Sequence, residues 1–393
     1  MFRALITSFA ALTCCLLAGC PTGSETRIDD EGASASGFDW RVPVGVPLPV
    51  EPADNTMSEE KFQLGRHLFY DTRLSGGGNI SCGSCHHQDK AFTDGLVRSF
   101  GSTGEQHPRN AQPLTNVAWM TTLTWANPSL ATLEQQIVVP LFGDRPIEHG
   151  INESNHHIIL AVIRNDPVYQ RLFRAAFPEI PEALQSEEAW RHIVAGLASF
   201  VRGLVSFDSA FDRYSAGQLT AMNESARRGM QLFNGERLEC FHCHEGYNFT
   251  NSTRDRSMTV VERPFHNTGL YNLDGRGAYP EENTGVYEVS GRDFEMGAFR
   301  APSLRNIALT APYMHDGTIA SLEEVVRTYA DGGRNITGGE FTGDGRINPL
   351  KDSFIAGFDI SEAEIQDVIA FLESLTDESF VTNPRFANPW EPL

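Results

Sequence analysis

The sequence predicts a mainly α protein built from two similar helical modules packed together, with long ordered loops. Three observations predict it. A helix ending in Gly65-Arg66-His67-Leu68-Phe69 runs into one cysteine pair, and Gly229-Met230-Gln231-Leu232-Phe233 runs into a second. Each half closes with an amphipathic helix, Glu187 to Val205 in the first and Ser361 to Leu375 in the second. The stretches Asn248 to Gly297 and Asp331 to Asp352 are punctuated by Gly, Asn and Asp, yet aromatics such as Phe265, Tyr271 and Tyr287 suggest that they pack over a site.

In chain order, residues 1–19 of MFRALITSFAALTCCLLAGC have the charged, apolar and small-residue regions of a secretory signal peptide, too short and wrongly flanked for a membrane span. The ending Leu17-Ala18-Gly19-Cys20 resembles a bacterial lipobox, which implies cleavage before Cys20 and lipidation of that cysteine. The expectation is an exported protein, lipid-anchored at the periplasmic face of a bacterial membrane, inner or outer. Residues 20–56, rich in Gly, Ser, Pro and acidic side chains, read as a flexible tether. The folded part begins at Met57. Ser58 starts a helix with Glu60 and Lys61 following, and Phe62, Leu64, Leu68 and Phe69 form its apolar stripe. Leu160, Ile163, Val168 and Leu172 read as ordinary helix core. The modules are expected at 57–215 and 216–385, joined near Phe207 to Thr220.

Of 393 residues 40% are hydrophobic, enough for a sizeable core, and 51 acidic against 31 basic residues give a formal charge of −20 without a basic block. Phosphate backbones and anionic membrane surfaces are therefore poor partners, and nucleic acid is excluded as a function class.

Of seven cysteines, Cys14 and Cys15 fall in the signal peptide and Cys20 takes lipid, leaving Cys82, Cys85, Cys240 and Cys243. These lie in Cys82-Gly83-Ser84-Cys85-His86 and Cys240-Phe241-His242-Cys243-His244. Both match C-x-x-C-H, the attachment pattern of c-type haem: two thiols on one turn meet the vinyl groups, and the next residue brings an imidazole beneath the iron. Chance supplies about 0.004 such motifs in a chain of this composition. A paired zinc site wants its cysteine pairs close together, whereas more than 150 residues separate these, and a redox dithiol needs no following histidine. Two covalent haems follow. A pure electron carrier needs both irons closed by two ligands; a peroxidase needs one open iron with an acid–base group beside it.

The stretches LGRHLFYDTRLSGGGNISCGSCH, HPRNAQPLTNVAW, LEQQIVVPLFGDRPIEHG and FRAPSLRNIALTAPYMHDGTIASLEEVV resemble the bacterial dihaem cytochrome c peroxidase and MauG superfamily, from about Met57 to Leu375. TLTWANP, ECFHCH and FHNTGLYN look closest to MbnH-like dihaem enzymes, partners of small exported copper-binding proteins. The resemblance implies a peroxide-reactive haem on Cys82 and Cys85 with His86 as proximal ligand, and an electron-transfer haem on Cys240 and Cys243 with His244. Glu148 in PIEHG matches the family's distal glutamate, a proton shuttle for peroxide, and His149 stands where a methionine is usual. Where some members carry a distal histidine, seven residues before the Arg-Asn pair, this chain has Ser102; His107 lies only two residues before Arg109. An open first iron is thus implied, unless a loop swings His107 inward.

For the second iron, Ala311 replaces an axial methionine, leaving Tyr313, with a slight lead, or Met314 as candidate sixth ligand, and His315 or no ligand as the bland alternative. Asn110 matches the family's calcium-binding asparagine. Trp125 lies sixteen residues after Arg109, the family distance to the tryptophan between the haems, and would relay electrons as a Phe could not. His87, His156, His157, His242 and His266 lack metal-ligand spacing and are expected in surface or hydrogen-bonding roles. The implied activity is a hydrogen-peroxide-dependent oxidation, at long range, of a tryptophan on an exported copper-binding partner. The alternatives are a cytochrome c peroxidase fed by a small cytochrome or copper protein, and a non-enzymatic dihaem electron carrier.

Overall fold

The computed structural model describes residues 37–391. The signal peptide, Cys20 with its lipidation, and the start of the expected tether lie outside the described residues. The first half holds α1 (Glu59–Phe69), α2 (Leu133–Phe142), α3 (His156–Asn165), α4 (Pro167–Ala176), α5 (Ala189–Arg202) and α6 (Ala210–Ser215). The second holds α7 (Glu224–Phe233), α8 (Tyr287–Ser290), α9 (Leu322–Ala330), α10 (Glu362–Glu373) and α11 (Glu378–Thr382). A two-residue antiparallel ladder, β1 (Asn335–Ile336) on β2 (Gly343–Asp344), pins one loop. No helix among the described residues is long and apolar enough to cross a membrane.

Helix α1 starts where the sequence says it should. Ser58 Oγ accepts from the Lys61 amide at 3.1 Å, while acids in the first turn and Arg66 and His67 in the last complement the helix dipole. Its apolar face crosses α5 at Gly65, where a Cβ would lie 1.9 Å from the Gly196 carbonyl oxygen. The second half repeats the crossing: α7 meets α10 at Gly229, where a Cβ would lie 1.8 Å from the Asp367 carbonyl oxygen. The glycine of each Gly-x-x-Leu-Phe ending is thus the point of closest helix approach.

The repeat runs deeper than that motif. Asn116 and Asn306, with φ of 54° and 61°, each open a short 3-10 turn, Val117–Trp119 and Ile307–Leu309. The two amides donate to Leu204 O and Leu375 O, just past the closing helices, at 3.0 Å in both halves. Asparagine tolerates the left-handed region better than other non-glycine residues. One core gathers round Phe62, Leu68, Phe69, Trp119 and Phe200, the other round Phe233, Phe249, Ile319, Phe371 and Leu375.

The structure departs from the sequence expectations in four places. Residues 37–56 are no free tether: Phe38 and Trp40 are buried in the first core, Trp40 stands edge-on to Trp119, and the Trp119 indole donates to Pro47 O at 2.8 Å. These apolar anchors are too sparse to show periodicity. The last part of the expected second module returns to the first core through Phe380, and Phe386, one residue beyond its expected boundary, joins it there, with Tyr70 Oη donating to Phe386 O at 2.8 Å. Conversely Trp125 and Ala126, from the first half of the sequence, join the second core. The stripe from Leu160 to Leu172 belongs to two helices, broken where Asp166 caps α4 ahead of Pro167; Tyr169 and Phe173 are buried there, and Val168 and Leu172 only half-buried.

Candidate haem clefts and their seam

Each C-x-x-C-H motif lies on a short 3-10 turn, Cys82–Ser84 and Cys240–His242, at the rim of a cleft. All four thiols are free of one another. Burial raises the Cys82, Cys85 and Cys240 thiols to about 12. The first cleft is lined by Cys82, Cys85, His86, His107, Glu148 and His149 among others, the second by Cys240, Cys243, His244, Tyr313, Met314 and His315.

The histidines are held alike. His86 Nδ1 donates to Phe92 O at 2.6 Å, and His244 Nδ1 donates to Phe249 O at 3.1 Å. Both acceptors belong to buried phenylalanines in the left-handed region, φ 64° and 50°, a strained conformation costing about 1–3 kcal/mol each. That strain aims a carbonyl at the imidazole, fixes the tautomer and leaves Nε2 bare as a metal ligand. Burial lowers the pKa of both rings, His244 to about 4, which keeps them neutral. Two free thiols and a tautomer-locked imidazole in each of two clefts fit a covalently attached haem in each.

Glu148 and His107 face each other in the first cleft, His107 Nε2 3.7 Å from Glu148 Oε1. His107 Nδ1 lies 3.0 Å from the Arg109 amide and 3.1 Å from Arg109 O, so the ring is held by the backbone of Arg109 with Nε2 turned toward the carboxylate. Burial pushes the Glu148 carboxyl up to about 7. Its side chain is 36% accessible, as expected of a lining group of the cleft. The Ser102 amide donates to Glu148 O at 2.7 Å, so the loop bearing Ser102 backs the glutamate. His149 is buried, donating from Nδ1 to Leu74 O at 2.7 Å with Nε2 3.8 Å from Cys82 Sγ. That contact had no sequence signal beyond adjacency to Glu148.

In the second cleft Tyr313 Oη donates to Ile307 O at 3.2 Å, and burial raises its phenol to about 12. Met314 occupies the left-handed region, φ 71°. His315 stacks on Phe299 with ring centroids 3.6 Å apart, and its buried Nε2 has no hydrogen-bond partner among the described residues.

Trp125 lines both clefts. It is 8% exposed, and its indole Nε1 donates to Asn110 O at 2.9 Å. The Asn110 amide in turn donates to His315 O at 2.9 Å, and its side-chain Nδ2 to Leu96 O at 2.7 Å. Asn110 therefore ties the indole to the wall of the second cleft. Arg300 also lines both clefts and was missed by sequence reasoning, because nothing in Phe-Arg-Ala-Pro marks its arginine as buried.

Of the remaining histidines, His266 pairs with Asp352 at 2.6 Å and bonds Asn251, a hydrogen-bonding role. His242 Nε2 lies 2.6 Å from Glu239 Oε2, with Glu236 nearby, a part-exposed imidazole–carboxylate grouping.

The family model described as di-haem cytochrome c peroxidase matches residues 59–220. The methylamine utilization protein MauG of Methylorubrum extorquens is 33% identical over 380 residues, 95% of this chain and 93% of that one. The cytochrome-c peroxidase IdrP1 of Denitromonas iodatirespirans is 32% identical over 384 residues, 92% of this chain and 94% of its own. A crystal structure of a MauG-like protein associated with microbial copper homeostasis superposes with a TM-score of 0.88 at 50% identity, covering 90% of this chain and 100% of that one. Twin C-x-x-C-H clefts on a helical frame, matched along nearly the whole chain, make this protein a member of the dihaem cytochrome c peroxidase and MauG family of oxidoreductases.

Proposed function

We propose that the protein uses hydrogen peroxide at the Cys82/Cys85 site to oxidise, at long range, a tryptophan on an exported copper-binding partner protein. The observation that carries this reading is Trp125 lining both clefts, which makes one oxidisable side chain common to the two redox sites. The 50%-identical relative associated with copper homeostasis supports the class of partner. When bound, the haems supply the redox chemistry with peroxide. Glu148, raised to about 7, takes the proton from one peroxide oxygen and returns it to the other, which leaves as water. Trp125 passes electrons between the clefts without diffusing. Opening one partner tryptophan to N-formylkynurenine releases four electrons and four protons and takes two oxygens from water. Two peroxides consume those electrons and protons, and hydrolysis then releases formate to leave kynurenine.

Within this reading Tyr313, in preference to Met314, would ligate the second iron, Asn110 would contribute its side-chain oxygen to a calcium site, and Cys20 would anchor the protein at the periplasmic face of a bacterial membrane. A Tyr313→Phe change that alters the oxidised spectrum of the second haem, beside a silent Met314→Leu, supports the first assignment.

The test is to mix holoprotein, peroxide and the exported copper-binding protein, and to follow the partner's tryptophan by mass spectrometry. Kynurenine without added reductant supports the reading; an unmodified partner with peroxide consumed refutes it. One observation favours a second reading, a cytochrome c peroxidase fed by a small redox protein: His107 already lies in the first cleft, 3.7 Å from Glu148. That reading requires prior half-reduction before peroxide reacts.

A further inference from the structure

Arg300 is 6% exposed, and among the described residues no carboxylate pairs with it. Its partners are all neutral. Nε donates to Thr124 O at 3.1 Å, one terminal nitrogen reaches Ala301 O at 3.4 Å and Met120 Sδ at 3.6 Å, and the other bonds Gln112 Oε1. Burial alone draws its pKa down to about 10, still high enough to keep the guanidinium charged at neutral pH. The contrast with Arg305 is direct: that arginine, equally buried, meets both oxygens of Asp212 at 2.9 Å. A desolvated cation without a counter-ion costs several kcal/mol, so a buried arginine with spare donors marks the place of an anion. The two contacts to Ala301 and Met120 are long, leaving N–H groups of the terminal nitrogens for that anion.

The position says which anion. Arg300 lines both clefts, and its own backbone amide donates to Trp125 O at 2.8 Å, so the cation is anchored to the residue the clefts share. The covalently attached groups that fit these clefts each carry two propionates, and a planar guanidinium receives carboxylates well. We infer that Arg300 is the common counter-ion of the two haems, taking a propionate from each cleft and fixing both groups about Trp125. It is a positioning residue, and its charge raises both reduction potentials, because each reduction adds negative charge beside it.

The test compares holoprotein carrying Arg300→Lys and Arg300→Met by spectroelectrochemical titration of both haems from pH 5 to 9, with haem content measured separately. Haem content should be unchanged, since attachment is covalent. Arg300→Met should weaken reduction of both haems by tenfold or more, 59 mV for a one-electron couple. Both potentials should also acquire a new rise toward low pH, because a propionate without its cation stays protonated to higher pH. Arg300→Lys, which keeps the charge, should stay near wild type, and it preserves the test if the methionine variant does not fold. Potentials unmoved in Arg300→Met, a shift confined to one haem, or Arg300→Lys potentials displaced like those of a charge-deleted protein would each overturn the inference.

Discussion

Replacing Glu148 with Gln keeps the shape of the side chain and removes its proton chemistry. With the carboxyl raised by burial to about 7, roughly a tenth of it is ionised at pH 6 and about nine tenths at pH 8, and the ionised form is the one that accepts a proton from peroxide. The second-order reaction of oxidised holoprotein with peroxide should therefore rise about tenfold between those pH values. A positioned acid–base group is worth about 10²–10⁴-fold, so Glu148→Gln should be slower by that factor and flat over the same range. Stability runs with the opposite slope. A carboxyl raised above its ordinary 4.5 holds its proton longer in the folded state, so its contribution is favourable below about 4.5 and declines as pH rises through 7. At full burial the difference is roughly 3 kcal/mol; with 36% of the side chain accessible, ~1–2 kcal/mol remains. Stopped-flow haem absorbance from pH 5 to 9 measures the rates, and denaturant titration at pH 5 and 8 measures the stability. A Glu148→Gln protein reacting within threefold of wild type, or a flat wild-type profile, would remove Glu148 from the chemistry.

Trp125→Phe should keep both haems attached and react with peroxide once, while losing oxidation shared between the two sites; spectra of both haems after one equivalent of peroxide decide it. Asp212→Asn leaves the Arg305 guanidinium, 2% exposed, without its carboxylate, and should cost about 3–5 kcal/mol in denaturant unfolding. Burial alone would raise the Asp212 carboxyl, but the Arg305 bonds outweigh it and hold it low; that stability is present above the ordinary carboxylate value and lost as pH falls through the depressed one. Wild type should thus lose more stability than Asp212→Asn on acidification below pH 4. Gly229→Ala puts a methyl 1.8 Å from the Asp367 carbonyl oxygen and should lower Tm by on the order of 5 °C, whereas Gly235→Ala, with its nearest atom at 3.1 Å, should change it little.

What the sequence could carry depended on how local each interaction is. The C-x-x-C-H motifs and the Gly-x-x-Leu-Phe endings are contiguous, and the structure puts each where its spacing implied. That Glu148 and Trp125 line the clefts was legible only by counting along a resemblance, since a lone Glu or Trp has many ordinary uses. Arg300 was illegible: its burial is made by Thr124, Gln112 and Met120, about 180 residues away in the chain. The Phe92 and Phe249 carbonyls were equally hidden, because a side-chain code does not report that a phenylalanine backbone turns left-handed to serve a histidine.

The two halves of the chain each hold part of the other's core, and this bears on the proposed passage of electrons between the clefts. Trp125 and Ala126 leave the first half to pack in the second core, and Phe380 and Phe386 return from the second half to the first. Separating the halves would strip apolar surface from both cores at once, so the seam cannot open by the hinge motion usual between domains joined by a small polar interface. Within the seam, Asn110, Trp125 and Arg300 are joined by two hydrogen bonds: Trp125 Nε1 to Asn110 O at 2.9 Å, and the Arg300 amide to Trp125 O at 2.8 Å. A tryptophan held at both its ring nitrogen and its backbone carbonyl has little freedom to change its distance to either cleft. Electron transfer through a shared side chain, the role proposed for Trp125, would demand that constancy, and the exchange of core residues is a structural means of supplying it.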